Sequence, residues 1–348
     1  MPAAATGRKG TTAQVRGFSA VLGHDRAIRL LSSQRAAGRL AHAYCFTGDE
    51  GIGKTSLARA LAEEMLLGTG QPARLDVHPD FWIDDRSDAI SIDEIRFQPE
   101  KGAQAHDQSL QQFLSLKPFS ADSRLALIAN AERMTEAAQN CLLKTLEEPP
   151  PHTVLVLTTA YPEHLLPTCL SRCQMIALSP INRSELASWL GERAGDSQQR
   201  ETIAAFAQGR PGMAVRALKE PEWVERLTKW ADELSSLVFA DADQILSYAL
   251  RFGQGPAAEQ RLVAGEALRA LTIRLKDAML IQAGMEEWAA LPASRWPEVE
   301  EWARRVSADH LRRCLLAAQR TQLLIDQNVN PRFAMEVLLL DLRLPQPV

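Results

Sequence analysis

Residues Gly48-Asp49-Glu50-Gly51-Ile52-Gly53-Lys54-Thr55 have the types and spacing of a phosphate-binding loop. Such a loop works because successive backbone N–H groups at a helix N-terminus converge on phosphate oxygens, while glycines let the main chain approach without a Cβ in the way. Gly48, Gly51 and Gly53 supply that freedom. Lys54 is placed to reach the β- and γ-phosphates and the Thr55 hydroxyl to enter a Mg2+ shell, and Ser56 is counted among the nucleotide-binding residues. The expected ligand is ATP with Mg2+. A glycine-rich turn that holds no ligand is the bland alternative.

Hydrolysis asks for more: a carboxylate that orients Mg2+ and its waters, and a group that positions the attacking water. The strand that should carry these reads Leu125-Ala126-Leu127-Ile128-Ala129-Asn130, with no carboxylate. Glu132 stands two residues further on, and alternation along an extended segment changes where its side chain points. The expectation is a chain that binds nucleotide without appreciable turnover of its own.

Several elements must position this loop. Short β-rich runs at 43–47, 81–83, 125–129, 154–159 and 175–178 alternate with helical patterns, which indicates a parallel sheet covered on both faces. Leu57, Ala58, Leu61, Ala62 and Met65 share one face of the helix after the loop. A second helix over 136–146 ends at Pro149-Pro150-Pro151. Pro180-Ile181-Asn182 then starts a new segment, with Asn182 and Glu185 in capping-box spacing. The expected organisation is a tail over 1–16, an α/β nucleotide-binding domain over 17–180, a small helical lid over 181–240 and an all-α domain over 241–348. In the last, Leu311, Leu315, Ala318 and Ile325 mark a helical bundle.

Composition narrows the function classes. A formal charge of −4 and a pI near 6.0 leave no global electrostatic footprint for nucleic acid, so a DNA contact must be local or come from partners. Five cysteines without a Cys-x-x-Cys pair fit a reducing cytoplasm, and Cys169 and Cys173 read as buried thiols flanking a strand, so no metal cluster is expected. The opening residues lack the apolar core of a signal peptide. No run approaches the roughly 18 apolar residues of a membrane span; no membrane association is expected.

With these residues in view, the chain resembles the delta-prime family of the bacterial DNA polymerase III clamp loader, which are AAA+ proteins. The resemblance rests on Phe18-Ser19-Ala20-Val21-Leu22-Gly23-His24, on 42–48 leading into the loop, on His78-Pro79-Asp80, and above all on Asn140-Cys141-Leu142-Leu143-Lys144-Thr145-Leu146-Glu147-Glu148-Pro149-Pro150 followed by Ser171-Arg172-Cys173. It implies a AAA+ module, a lid and a helical collar through which five subunits associate, with gamma/tau motor subunits and a delta subunit as partners. The implied role is ATP-dependent loading of the sliding clamp onto primed DNA. Gln327 to Arg332 and Met335 to Leu339 look like the last collar helix.

By the same resemblance Arg172 is an arginine finger acting in trans on the adjacent motor subunit, and Thr159 occupies the place of the first sensor. The second sensor of active relatives aligns with Gly212, while Arg210 and Arg216 are out of register. Residues 66 to 80 lack the cysteines that form a zinc module in many relatives. Motor subunits carry an Asp-Glu pair where this chain has Ala129 and Asn130.

Two other readings compete. One is a self-sufficient AAA+ ATPase of the motor type that uses Glu132 or Asp122 as its acid. The other is a nucleotide-gated scaffold with unrelated partners, for which Trp288, Trp296 and Trp302 are contact candidates, although packing between helices is their commoner use.

Overall fold

The computed structural model describes residues 16–67, 74–86, 88–97, 108–191, 193–286, 289, 296–327 and 329–344. The expected tail therefore lies, apart from Arg16, outside the described residues, as does Trp288. The chain divides into two compact units, Met1–Ile181 and Asn182–Val348.

The first unit is built on five strands: β1 (Ala43–Thr47), β2 (Phe81–Asp84), β3 (Arg124–Ile128), β4 (Thr153–Thr159) and β5 (Gln174–Ala177). Every pairing is parallel and the order is β2-β3-β4-β1-β5. Its helices are α1 (Asp25–Ala36), α2 (Lys54–Leu66), α3 (Ile92–Ile95), α4 (Leu110–Ser115), α5 (Glu136–Glu147) and α6 (Pro167–Leu170).

The period of two in the strands sorts their side chains into two cores. Tyr44, Phe46, Leu125, Leu127, Val154 and Val156 face Leu31 of α1 and Leu57, Leu61 and Leu66 of α2. Cys45, Ala126, Ile128, Leu155 and Leu157 face Phe113 of α4 and Ala138, Leu142 and Leu146 of α5. Helices on both faces explain why these strands are apolar throughout rather than alternating with polar residues. This is an α/β architecture, a parallel sheet covered by helices on both faces.

The second unit is helical throughout its described residues: α7 (Arg183–Gly191), α8 (Ser197–Ala207), α9 (Pro211–Lys219), α10 (Pro221–Ser236), α11 (Ala242–Ala249), α12 (Ala257–Gln282), α13 (Trp296–Arg304), α14 (Ala308–Asp326) and α15 (Pro331–Leu342). α10 and α14 both pack on α12. Of the residues that mark α14 as amphipathic, Leu311, Ala318 and Ile325 are buried and Leu315 is partly buried. Trp302 is also internal, its Nε1 donating to Ser235 O at 2.9 Å, so this tryptophan is a packing residue and no exposed partner contact.

Asp80 shows how the His-Pro-Asp segment serves the fold. Its buried carboxylate accepts from the backbone N–H groups of Phe119 and Ser120 at 2.7 Å and Ala121 at 3.0 Å, and pairs with Arg124 at 3.4 Å. Arg124 in turn donates to Phe113 O and Lys117 O, and lies over the Phe113 ring. Burial alone would raise the Asp80 carboxyl, but these donors outweigh it and hold it below the usual carboxylate range. A depressed folded value means that the stabilisation is present above the unfolded value, near 3.9, and disappears as pH falls through the folded one. Asp80→Asn sets an amide donor against backbone donors and leaves Arg124 unpaired. It is expected to cost about 3 kcal/mol at pH 7 by urea unfolding, with a gap to wild type that narrows below about pH 4. An unchanged gap at low pH would contradict the assignment.

Candidate nucleotide site and the Arg172 cluster

β1 ends at Thr47, and the chain turns through the glycine-rich loop into α2 at the C-terminal edge of the sheet, where open parallel sheets bind ligands. Gly48, Gly51 and Gly53 have φ of 140°, 75° and 110°, a region that side chains with a Cβ rarely adopt. A Cβ on Gly48 would also meet Leu178 O at 2.5 Å. Gly53 is the N-cap of α2 and has no side chain to cap it, so the first-turn N–H groups are left for an anion. Thr55 is partly buried and Ser56 exposed in that first turn.

Lys54 is buried, 6% exposed, and its Nζ donates to Gly48 O at 2.6 Å and Asp49 O at 3.0 Å. Burial pulls its ammonium below the usual lysine range, while the carboxylates of Glu132, Glu50 and Asp49 act the other way. His24 braces the loop from outside, its Nε2 lying 2.8 Å from Ile52 O. The glycine conformations, the uncapped helix and the buried lysine together fit a phosphate chain.

At the end of β3, Ala129 and Asn130 stand where the acids were missed. Asn130 takes a left-handed conformation, φ 51°, which suits Asn better than most residues, and its N–H donates to Thr158 Oγ1 at 3.1 Å. The chain then makes a single 3-10 turn, Ala131–Arg133. Arg133 fixes that turn by donating to Ala129 O and Asp88 O and by pairing with Asp84. Strand alternation therefore stops before Glu132. The Glu132 Oε1 accepts from Ala160 N–H at 3.4 Å, just beyond Thr159, and its charge bears on both Lys54 and Cys45. The extended-chain argument against its reach fails because the segment is not extended. Thr159 itself is fully buried, its Oγ1 accepting from Tyr161 N–H at 3.0 Å. Asp122 precedes β3 and lies at the opposite, N-terminal edge of the sheet.

Arg172 is at that N-terminal edge too, two residues before β5, whose first residue is in register with Tyr44 of β1. Its Nη1 donates to Thr168 O at 2.9 Å and its Nη2 pairs with Glu147 at 2.8 Å; both side chains are more than a third exposed. Gln139 ties the supporting α6 to α5, because its Oε1 accepts from Leu166 N–H at 2.7 Å and its Nε2 donates to Met134 O and His164 O. The two sequence motifs are thus one cluster, Glu147 from the first meeting Arg172 from the second.

In the second unit, Gly212 sits in the first turn of α9 behind Pro211. Arg216 is engaged by Glu220 and Glu266 and lies over the Trp223 ring. Arg210 donates to Ala207 O and Gln208 Oε1.

A family model described as DNA polymerase III, delta subunit, matches residues 23–182. The chain is 27% identical over 332 residues to the DNA polymerase III subunit delta-prime of Bacillus subtilis, covering 91% of this chain and 95% of that protein. It is 32% identical over 195 residues to the Haemophilus influenzae delta-prime subunit, covering 51% of this chain and 55% of that one. Similarity to delta-prime subunits therefore runs along most of the chain. Identity of 30% over 203 residues extends to the tau subunit of Escherichia coli, of whose length the chain spans 31%. A solved Thermotoga maritima protein related to the gamma subunit is 18% identical, with a TM-score of 0.43 over 90% of this chain and 98% of its own.

The fold gathers Gly48, Gly51, Gly53, Lys54, Thr55 and Thr159 at one edge of the sheet and sets Arg172 at the other. Gly48→Ala meets both backbone strain and the Leu178 carbonyl, whereas Gly38→Ala, at φ 63° with nothing within 4 Å, meets strain alone. Thermal or urea unfolding should therefore show Gly38→Ala costing about 1–2 kcal/mol and Gly48→Ala clearly more. Equal costs would rule out the steric part of this account.

Proposed function

We propose that the chain is the stator of a DNA polymerase III clamp-loading complex. It assembles with gamma/tau motor subunits and a delta subunit in a heteropentamer, and it helps to place the sliding clamp on primed DNA in the cytoplasm. Its P-loop holds ATP or ADP with Mg2+, through Lys54, Thr55 and the loop N–H groups, without appreciable hydrolysis. Residues 181–240 act as the lid and 241–348 as the collar. Exposed Leu316 and Leu323 on α14 and Phe333 and Val337 on α15 support an association surface there.

The observation that carries this reading is the separation of the cation from the cradle. Arg172 precedes β5 while the P-loop follows β1, and these strands are paired in parallel, so roughly 15 Å of strand lies between them. The guanidinium cannot serve its own chain's phosphate site, but at the margin of the module it is available to a neighbour's. Its restraint is weak: an exposed pair such as Glu147–Arg172 is worth ~0–1 kcal/mol, and a guanidinium forks readily onto phosphate oxygens. Glu147 thus keeps the finger ordered without competing with a triphosphate.

A self-sufficient ATPase draws one point of support, the approach of Glu132 to the loop. The other acidic candidates fall away, because Asp122 is at the wrong edge and position 130 is an amide. Reconstitution with motor, delta, clamp and primed DNA separates the two readings. Arg172→Ala is expected to lower DNA-stimulated ATP hydrolysis about 10³-fold at the site it serves, with assembly preserved on size exclusion. Unchanged hydrolysis would remove the finger role.

A further inference from the structure

The carboxylates expected at 129 and 130 are absent, yet a carboxylate is present at the same edge by another route. Asn130 turns the chain left-handed, Arg133 locks the 3-10 turn, and Glu132 is carried back over the end of β4, the strand between β3 and β1. One carboxylate oxygen is committed to Ala160 N–H, next to Thr159. The other, Oε2, is buried without a hydrogen-bond partner. A buried carboxylate oxygen left without a donor costs about 1–3 kcal/mol, and such atoms in a native fold mark a place where a ligand, ion or water completes the set.

We propose that Glu132 is the acidic member of this nucleotide site, and that its Oε2 takes the hydrated divalent cation accompanying a bound nucleotide, in place of the carboxylates lost from the end of β3. The inference rests on the nucleotide-binding reading given above. The cation, when bound, screens the phosphate charge. The chain's own residues do the rest: Lys54 lies on the phosphate side of the loop, Thr55 offers its hydroxyl from α2, and Glu132 closes the set from the 3-10 turn after β3. The charge of Glu132 already bears on Lys54 across the edge of the sheet, which agrees with this placement. Only one of the two acidic tasks is restored, since Asn130 still offers no base for water, so the site retains nucleotide without turning it over.

Equilibrium binding of a fluorescent ADP analogue to the full chain, in EDTA and across a Mg2+ titration, tests this in wild type and in Glu132→Gln. The glutamine keeps an acceptor for Ala160 N–H, and circular dichroism checks the fold. Wild type should bind more tightly as Mg2+ rises. Glu132→Gln should lose most of that gain, about tenfold, while binding as tightly as wild type or better in EDTA because a negative charge near the phosphates is gone. The same Mg2+ gain in both proteins overturns the role of Glu132 and leaves the nucleotide site standing. No binding by wild type under either condition overturns both.

Discussion

One buried ammonium organises the C-terminal edge of the sheet. Lys54 is nearly excluded from solvent, and its immediate contacts are the two loop carbonyls of Gly48 and Asp49 rather than a carboxylate. A charge in that position requires negative partners around it, and the protein supplies them at a distance through Asp49, Glu50 and Glu132. A phosphate chain would supply them directly. The glycine conformations, the uncapped start of α2 and the return of Glu132 over β4 all follow from holding one cation where phosphate oxygens can reach it.

The other cation, Arg172, obeys the opposite rule. It is more than a third exposed, paired once with Glu147 and held otherwise by bonds to Thr168 O and Ser171 Oγ, and it is placed by Gln139, a buried amide whose hydrogen bonds join α5 to α6. Burial gives Lys54 a fixed site, and exposure leaves Arg172 free to exchange partners. Two cations of like charge at opposite ends of parallel strands suit a protein that receives a phosphate ligand at one edge and offers a guanidinium at the other. Similarity to delta-prime subunits along most of the chain accords with this division.

Much of the first unit could be read from residue types. The five strands fall within a residue or two of the apolar runs, because a sheet covered on both faces needs uninterrupted hydrophobic strands. The loop and its helix were legible for a related reason, since few sequences place three glycines, a lysine and a threonine in that order between a strand and a helix. Glu132 was not legible. Its reach depends on a left-handed Asn130 and a single 3-10 turn pinned by Arg133, a local break in periodicity that strand alternation cannot anticipate. The pairing of Glu147 with Arg172 and the role of Asp80 as an anchor for residues 119–121 were equally hidden, because each joins positions 25 to 41 residues apart through tertiary packing. Within the helical unit, Trp302 shows the same limit: sequence leaves open whether a tryptophan among acidic residues faces a partner, and only the bond to Ser235 O settles it.

The central claim is that a working phosphate cradle persists here without the second acid that turnover needs. It is tested most directly by incubating the purified chain with a modest excess of radiolabelled ATP and Mg2+ and following both retained nucleotide and released phosphate over hours. The account predicts nucleotide retained by the chain and lost in Lys54→Ala, with no multiple-turnover release of phosphate. Steady release of phosphate over many turnovers, abolished by the same substitution, would contradict it.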